Sequence, residues 1–131
     1  MRPLVYLASC SIVASLVAAT VACGEPPLFG PPTESVCPTP STLTYDNFGR
    51  PFMEAYCTRC HSSQLTGAAR MGAPSFHDFD SVFGIRAVSE HIDETTAIGP
   101  AASNRSMPPG GDRPSDAERQ MLGEWIACGM P

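Results

Sequence analysis

The stretch Cys57-Thr58-Arg59-Cys60-His61 is the most informative part of this 131-residue chain. Its two cysteines stand three positions apart, and a histidine follows the second one directly. On one helical turn, two thiols at this spacing can each add across a vinyl group of haem, while the next side chain presents an imidazole to the iron. The motif therefore predicts one covalently attached haem c, held by Cys57 and Cys60, with His61 as an axial iron ligand.

Two other chemistries use closely spaced cysteines, and the surrounding sequence favours neither. A redox-active pair is typical of a strand that leads into a helix, and a zinc site needs a second Cys/His pair. Neither pattern flanks residues 57–61. Haem attachment is thus the preferred interpretation of the motif.

A helix is predicted immediately before the motif. Phe48, Phe52 and Tyr56 recur every four residues and predict one apolar helix face, with Asp46 or Asn47 as the N-cap. The stripe leads directly into the attachment motif, so the helix and the motif are predicted to be continuous.

Two further helices are predicted downstream. Ser115-Asp116-Ala117-Glu118 is a capping box, and the apolar residues after it predict one buried helix face that ends near Gly129. Asp80 or Ser81 can cap another helix, predicted from Val82 to Ile92.

Together, the motif and these helices resemble the monohaem class I c-type cytochromes of bacteria, over roughly residues 44–130. The resemblance implies an all-α fold, namely a small cytochrome c fold with three to four helices wrapped around one covalently bound haem. It also implies that the first and last helices cross, with Gly49 packed against Leu122 and Trp125.

The resemblance further implies two residues around the iron. Met107, which two prolines follow, matches the family's methionine loop and would be the second axial ligand, opposite His61. Pro74, 13 residues after His61, matches the proline whose carbonyl accepts the Nδ1 proton of the haem histidine. A bis-histidine iron with His77 or His91 remains an alternative, as does an open sixth position.

With protein side chains in both axial positions, the iron has no free site for a substrate. The sequence also shows no nucleophile–base arrangement, so we expect one-electron transfer to redox partner proteins rather than an enzyme activity. Two alternatives stay open: an electron-entry subunit of a larger oxidoreductase, and a haem sensor with an open axial site.

The balance of acidic and basic residues limits the classes of partner that the protein can bind. The chain carries 13 acidic residues against eight basic ones, and all eight basic residues are arginine. This balance argues against nucleic acid, because phosphate binding needs clustered cations. Arg50, Arg59, Arg70 and Arg105 either contact a redox partner near the haem edge or are solvated surface charges. We expect the protein to be a monomer.

The N-terminus predicts export. Residues 1–22 combine one arginine, an uncharged apolar run and small residues, an order that is typical of a signal peptide. Cys23 then resembles the lipidated cysteine of a bacterial lipoprotein, and a cleaved soluble form or an uncleaved anchor are the alternatives. All three place the rest of the chain outside the cytoplasm. Lipidation would hold it on the periplasmic side of a bacterial membrane.

Residues 23–42 are rich in proline and predict an extended tether ahead of a cytochrome c domain at 43–131. An ordered arm from Val36 onward is the alternative. Cysteine counting adds one restraint to this segment. The signal peptide, the lipidation site and the haem motif use four of the six cysteines. We therefore expect the remaining two, Cys37 and Cys128, to form a disulfide in an oxidising compartment.

Overall fold

The structure of the chain, a computed structural model, describes residues 27–131. The predicted signal peptide at 1–22, the lipidation site Cys23 and the first tether residues lie outside the described residues. Among residues 27–131, no helix combines the length and the apolar character that crossing a membrane requires.

The described part of the chain contains four α-helices. They are α1 (Arg50–Tyr56), α2 (Val82–Ala87), α3 (Ser89–Thr96) and α4 (Asp116–Ala127). A π-helical turn (Tyr45–Gly49) leads into α1, and a 3-10 turn (Gly67–Arg70) lies in the loop after it. Within residues 27–131 the only β pairing is an isolated antiparallel bridge between Ile98 and Ser103. The predicted all-α class is confirmed for these residues.

The helical segment before the motif starts two to three residues earlier than predicted. Thr44 is its N-cap: the Asn47 amide N–H donates to the Thr44 hydroxyl oxygen at 3.1 Å, and the Thr44 amide N–H donates to Asn47 Oδ1 at 2.7 Å. Asn47 therefore belongs to the capping box as its third residue and is not the cap itself. The predicted apolar face is present, because Phe48 and Phe52 are buried.

Helix α4 begins as the sequence predicts. The Ser115 amide N–H donates to Glu118 Oε2 at 2.8 Å, and the Glu118 amide N–H donates to the Ser115 hydroxyl oxygen at 3.3 Å. The helix ends just before Gly129, whose φ of +79° reverses the chain at little cost.

The π-helical turn before α1 contacts α4 at the Gly49–Trp125 pair that the resemblance implied. A Cβ added at Gly49 would overlap ring atoms of Trp125, so only glycine fits at this approach. Phe48 packs edge-on against Trp125 with ring centroids 6.1 Å apart, and the Tyr56 hydroxyl donates to Glu118 Oε1 at 2.8 Å. The core contains residues from all four helices and from the loops: Phe48, Phe52, Met53, Phe79, Ile85, Val88, Ile92, Ala97, Leu122, Trp125 and Met130.

The single helix predicted from Val82 to Ile92 is two helices in the structure. Ser81 caps α2 by accepting from the Gly84 amide at 3.1 Å. The Val88 amide then donates to the Ile85 carbonyl three residues back, and the φ of −133° at Val88 ends α2 there. Helix α3 restarts at once and continues to Thr96, beyond the predicted end.

The proline-rich segment contacts the domain already at Gly30, Pro31 and Thr33, which is earlier than the ordered arm from Val36 that was the alternative to an extended tether. The Thr33 amide and hydroxyl donate to the Asp93 carboxylate at 2.8 and 2.5 Å. The Gly30 amide donates to the Glu94 carbonyl at 2.7 Å, and the Asn104 side-chain amide donates to the Pro31 carbonyl at 2.9 Å. Proline has no N–H to satisfy, so these few donors and acceptors are enough to dock the arm.

A disulfide joins the end of this arm to the end of α4. It links Cys37 and Cys128, the pair that the cysteine count predicts, with Cα atoms 4.7 Å apart and 91 positions between them in sequence. Among the described residues, the packed part of the chain therefore includes residues before position 43.

Candidate functional site

The Cys57–His61 motif forms a single turn at the end of α1. The Cys57 amide still donates to the Met53 carbonyl at 2.9 Å, as in a helix. The Cys60 and His61 amides both donate to the Cys57 carbonyl, at 3.1 and 3.0 Å. One turn thus carries both cysteines and the histidine, and both thiols are free.

The Cys57 thiol does not have the properties of a redox-active cysteine. Burial raises its pKa to about 12, although the nearby charges of Arg119 and Arg59 act in the opposite direction. Reactive C-x-x-C cysteines have a lowered pKa, because the thiolate is the nucleophile. A thiol that stays protonated at neutral pH is therefore a poor candidate for disulfide exchange.

A structural zinc site is also a poor match. Such a site needs four clustered ligands. Within residues 27–131, no group of three or more His, Cys, Asp and Glu side chains could hold a metal ion. Haem c requires a different set, namely two free thiols on one turn and one imidazole beside them. The residues present fit that set.

His61 is held in the form that binds a metal. Its ring lies nearly parallel to the Phe79 ring, with centroids 4.5 Å apart and 7° between the planes. Its Nδ1 lies 3.3 Å from the His77 carbonyl oxygen, which can only accept, so Nδ1 carries the proton. Burial lowers the pKa of His61 and keeps the ring neutral at pH 7. The lone pair is then on Nε2, the nitrogen that remains for the iron.

The partner of His61 is not the predicted one. The carbonyl oxygen of Pro74 accepts from Arg70 Nη2 at 2.5 Å and from the His77 amide at 3.1 Å. This turn brings the carbonyl of His77, three residues further on, to His61 instead. The prediction of Pro74 as the hydrogen-bond acceptor is therefore wrong, because the Arg70 side chain and the turn use that carbonyl.

Arg70 is predicted from the sequence to contact a redox partner or to be a solvated surface charge, but in the structure it is buried beside His61. It is 5% exposed, and its Nη1 donates to Asp78 Oδ1 at 2.8 Å and to the Ser62 carbonyl at 2.6 Å. Its Nη2 also donates to the His77 carbonyl at 3.1 Å, so that oxygen accepts from both Arg70 and His61. The only sequence signal was Asp78, eight positions later, and no helical spacing links the two.

Of the other two histidines, His77 lies next to His61 and His91 lies next to His77. His77 is buried, and its Nε2 is 3.4 Å from Nδ1 of the exposed His91. The main-chain carbonyl of His77 is on the Nδ1 side of His61, opposite Nε2, the nitrogen predicted to bind iron. This position argues against a bis-histidine iron with His77.

Met107 is half-buried in the loop between α3 and α4. Its amide donates to the Thr95 carbonyl at 3.0 Å, and its carbonyl accepts from Arg119 Nη1 at 3.0 Å. This loop is next to the attachment turn, because the Arg59 guanidinium lies where a Cβ on Gly111 would be. The structure thus brings the methionine loop beside the turn that carries Cys57, Cys60 and His61.

A surface groove of about 730 Å³ lies beside the loop that follows the motif, with Ser63, Phe76 and Phe83 among its lining residues. None of Cys57, Cys60, His61 and Met107 lines it. The groove is therefore distinct from the candidate site.

Comparisons of the chain with protein-family models, with curated proteins and with solved structures find no match.

Proposed function

We propose that this protein carries one covalently attached haem c and transfers single electrons between redox proteins outside the cytoplasm. One observation carries the proposal: two free thiols share a turn with a neutral imidazole whose Nδ1 is hydrogen-bonded and whose Nε2 is left for iron. Paired thiols with another purpose would not need the imidazole fixed in this tautomer.

The attachment chemistry follows from the turn. If haem binds here, the Cys57 and Cys60 thiols would each add across a vinyl group, so that sulfur bonds to one carbon and the thiol proton goes to the other, with no net oxidation. The neutral, half-buried thiol of Cys57 remains available for this addition, since the Cys37–Cys128 pair takes up the other two cysteines among residues 27–131. Haem bound here supplies a one-electron ferric/ferrous couple.

The chain's own residues then set the iron environment. Donation from His61 Nδ1 to the His77 carbonyl orients the imidazole and makes its Nε2 a stronger donor. We assign Met107 as the second axial ligand, because its main chain is fixed on both sides and its loop adjoins the attachment turn. A thioether is a soft ligand that favours ferrous iron, so this pair of ligands raises the reduction potential.

The fold that we propose is the small cytochrome c fold. The support is the contact of Gly49, in the π-helical turn that leads into α1, with Trp125 of α4, 76 positions further along the chain. A rigid crossing of this kind suits electron transfer, which needs little rearrangement between the two oxidation states. We expect a monomer that meets its redox partners transiently.

The docked arm changes where the domain would be held. If Cys23 carries the lipid, only residues 24–27 separate it from the packed chain at Leu28. Five Cα–Cα steps span at most about 18 Å. We therefore propose that the domain stays close to the membrane surface, where it would exchange electrons with partners in or on that membrane.

The test is a visible spectrum of the protein produced with a haem-attachment system. We expect a c-type pyridine haemochrome, a mass that includes haem under denaturing conditions, and the weak ferric charge-transfer band of a methionine–iron bond. Cys57→Ser and Cys60→Ser should each leave one thioether, whereas Met107→Ala should keep the haem and lose the band. Absence of covalent haem would overturn the proposal. Rapid CO binding by the reduced wild type, without the band, would replace electron transfer by a haem sensor.

A further inference from the structure

Arg119 is a buried arginine in the first half of α4, and only 2% of it is exposed. Its Nη1 donates to the carbonyls of Thr96, Asn104 and Met107, at 2.8, 3.2 and 3.0 Å. Its Nε donates to the Pro114 carbonyl at 3.3 Å. All four acceptors are main-chain oxygens, and together they mark out the segment that joins α3 to α4.

The charge of this guanidinium has no carboxylate partner. Among the described residues, the arginines with an ion pair within 4.0 Å are Arg50, Arg70 and Arg105, and Arg119 is not one of them. A buried cation is costly unless polar groups replace its hydration. Here carbonyl dipoles do so, including that of Thr96, where the negative end of the α3 dipole lies.

The segment that Arg119 holds contains the candidate methionine. On one side, the Asn104 and Met107 amides donate to the Ala97 and Thr95 carbonyls, at 2.9 and 3.0 Å. On the other side, Arg119 holds the carbonyls of the same two residues. Two prolines and two glycines follow Met107 in the sequence. The main-chain hydrogen bonds that hold the methionine are therefore those of Asn104 and Met107, ahead of this stretch.

We infer that Arg119 is a positioning residue that keeps the Met107 thioether within reach of the iron by clamping the Met107 main chain. The inference rests on the proposed function, since it concerns the iron ligand. A bond between iron and a neutral thioether is weak compared with one to imidazole. If the loop were free to move, a competing ligand would therefore replace the Met107 thioether at the iron. The hydrogen bond from the charged Arg119 side chain to the Met107 carbonyl resists that movement.

The test compares Arg119→Gln and Arg119→Lys with the wild type and with Arg105→Gln. Arg105 is in the same segment, but its guanidinium is exposed and pairs with the Asp116 carboxylate, not with the Met107 carbonyl. The measurement is the affinity of the ferric proteins for added imidazole, which must displace the methionine, together with the ferric methionine–iron band. Losing a hydrogen bond from a charged donor corresponds to roughly a 10- to 100-fold change.

We expect imidazole to bind about 10- to 100-fold more tightly to Arg119→Gln, with a weakened band and an unchanged yield of covalent haem. Arg119→Lys should show a smaller increase, because an ammonium group lacks the guanidinium's planar fork of donors. Arg105→Gln should match the wild type. Wild-type affinity in both Arg119 variants would overturn the inference alone, whereas a wild type without the methionine–iron band would overturn Met107 ligation itself.

A measurement on the unaltered protein covers the case in which the Arg119 variants do not fold. Saturating imidazole should displace Met107, and the ¹⁵N-detected guanidinium resonances of Arg119 should then shift and exchange faster with water. Those of Arg70, which holds the loop on the His61 side, should stay as they are. Unchanged Arg119 resonances after displacement would contradict the clamp.

Discussion

The carbonyl oxygen of His77 lies 3.3 Å from Nδ1 of His61, and Nη2 of Arg70 lies 3.1 Å from the same oxygen. The candidate iron ligand and a buried cation therefore share one acceptor. The position of the imidazole depends on the loop between them, and that loop is built around Arg70. Changes at Arg70 are thus expected to act on the whole loop behind the haem histidine.

Replacement of Arg70 by methionine should strongly destabilise the protein. It would leave Asp78, its ion-pair partner, without a counter-charge and several loop carbonyls without donors. Removing one partner of a fully buried pair costs about 3–5 kcal/mol of unfolding free energy. Because the Asp78 side chain is 28% exposed and water stabilises part of its charge, we expect a loss at or below the lower end of that range. Denaturant unfolding of Arg70→Met would measure the loss.

The matched control is Arg50→Met. Arg50 also forms an ion pair, with Asp46, but its side chain is 52% exposed. Exposed pairs contribute about 0–1 kcal/mol, so this variant should unfold close to the wild type. Similar losses of unfolding free energy in Arg70→Met and Arg50→Met would show that the ion pair and hydrogen bonds of Arg70 do not stabilise the loop.

Replacement of Gly49 by alanine tests the contact of α4 with the π-helical turn that precedes α1. The added methyl group would overlap the Trp125 ring, so the turn and α4 must separate or the ring must move. Overpacking of this kind typically costs about 1–3 kcal/mol. For a domain of this size we expect the melting temperature to fall by roughly 4–8 °C for each kcal/mol.

Gly110→Ala provides the control for that experiment. A Cβ at Gly110 meets no atom within 4 Å, and the backbone there does not have a positive φ. Its melting temperature should therefore equal that of the wild type. A wild-type melting temperature in Gly49→Ala would mean that the turn and α4 do not approach each other as described.

The parts of the fold that the sequence predicts correctly are those with a local or periodic signal. The capping box at Ser115 and Glu118 involves residues three positions apart, so the sequence pattern itself contains the physical constraint. The close approach at Gly49 is implied by the family resemblance instead, and it requires a residue without a side chain. The cysteine pair of the disulfide followed from counting rather than from geometry.

The parts that the sequence does not predict depend on carbonyl oxygens in irregular loops. Whether Pro74 or His77 supplies the acceptor for His61 is decided by the path of the chain around Arg70, and main-chain oxygens have no sequence signature. The docked arm is a similar case. Its anchor is the Asp93 carboxylate, 60 positions away from Thr33, and proline content alone indicates an extended chain in either situation.

Removal of the Cys37–Cys128 disulfide should destabilise the domain through the unfolded state. The bridge spans 91 positions, and the chain-entropy model gives about 4–5 kcal/mol for a loop of that length. The double variant Cys37→Ser/Cys128→Ser avoids wrong pairing with Cys57 or Cys60. Denaturant unfolding against the wild type measures the loss.

Mass spectrometry under non-reducing conditions provides the check on the bridge. Within residues 27–131, the haem-loaded wild type should contain no thiol that an alkylating reagent modifies before reduction, and two afterwards, at Cys37 and Cys128. Alkylation of both residues without reductant would contradict the pairing. An unfolding free energy equal to that of the wild type in the double variant would instead mean that contacts such as Thr33–Asp93 are enough to hold the arm.

The stability of the protein should fall as the pH drops from 7 to 5, and His77 should be one cause. Burial, followed by the charges of His91 and Arg70, lowers the pKa of His77 below its ordinary value of 6.5. The unfolded chain therefore binds a proton at a pH where the folded chain does not. The stabilisation is complete above about pH 6.5 and is lost as the pH falls below it.

Urea unfolding of the wild type and of His77→Gln at several values between pH 7.5 and 5 measures this effect. The glutamine variant keeps the main-chain carbonyl that His61 uses, so the candidate site is retained while the titrating ring is removed. Its stability should depend less on pH over this range. The pKa values of Glu118 and Asp80 are also lowered, from their ordinary values of 4.5 and 3.8. Hydrogen-bonded carboxylates lose their stabilisation only when they are protonated, so these two groups affect stability in a separate pH range, below those values. The same pH dependence in both proteins would exclude His77 as its source.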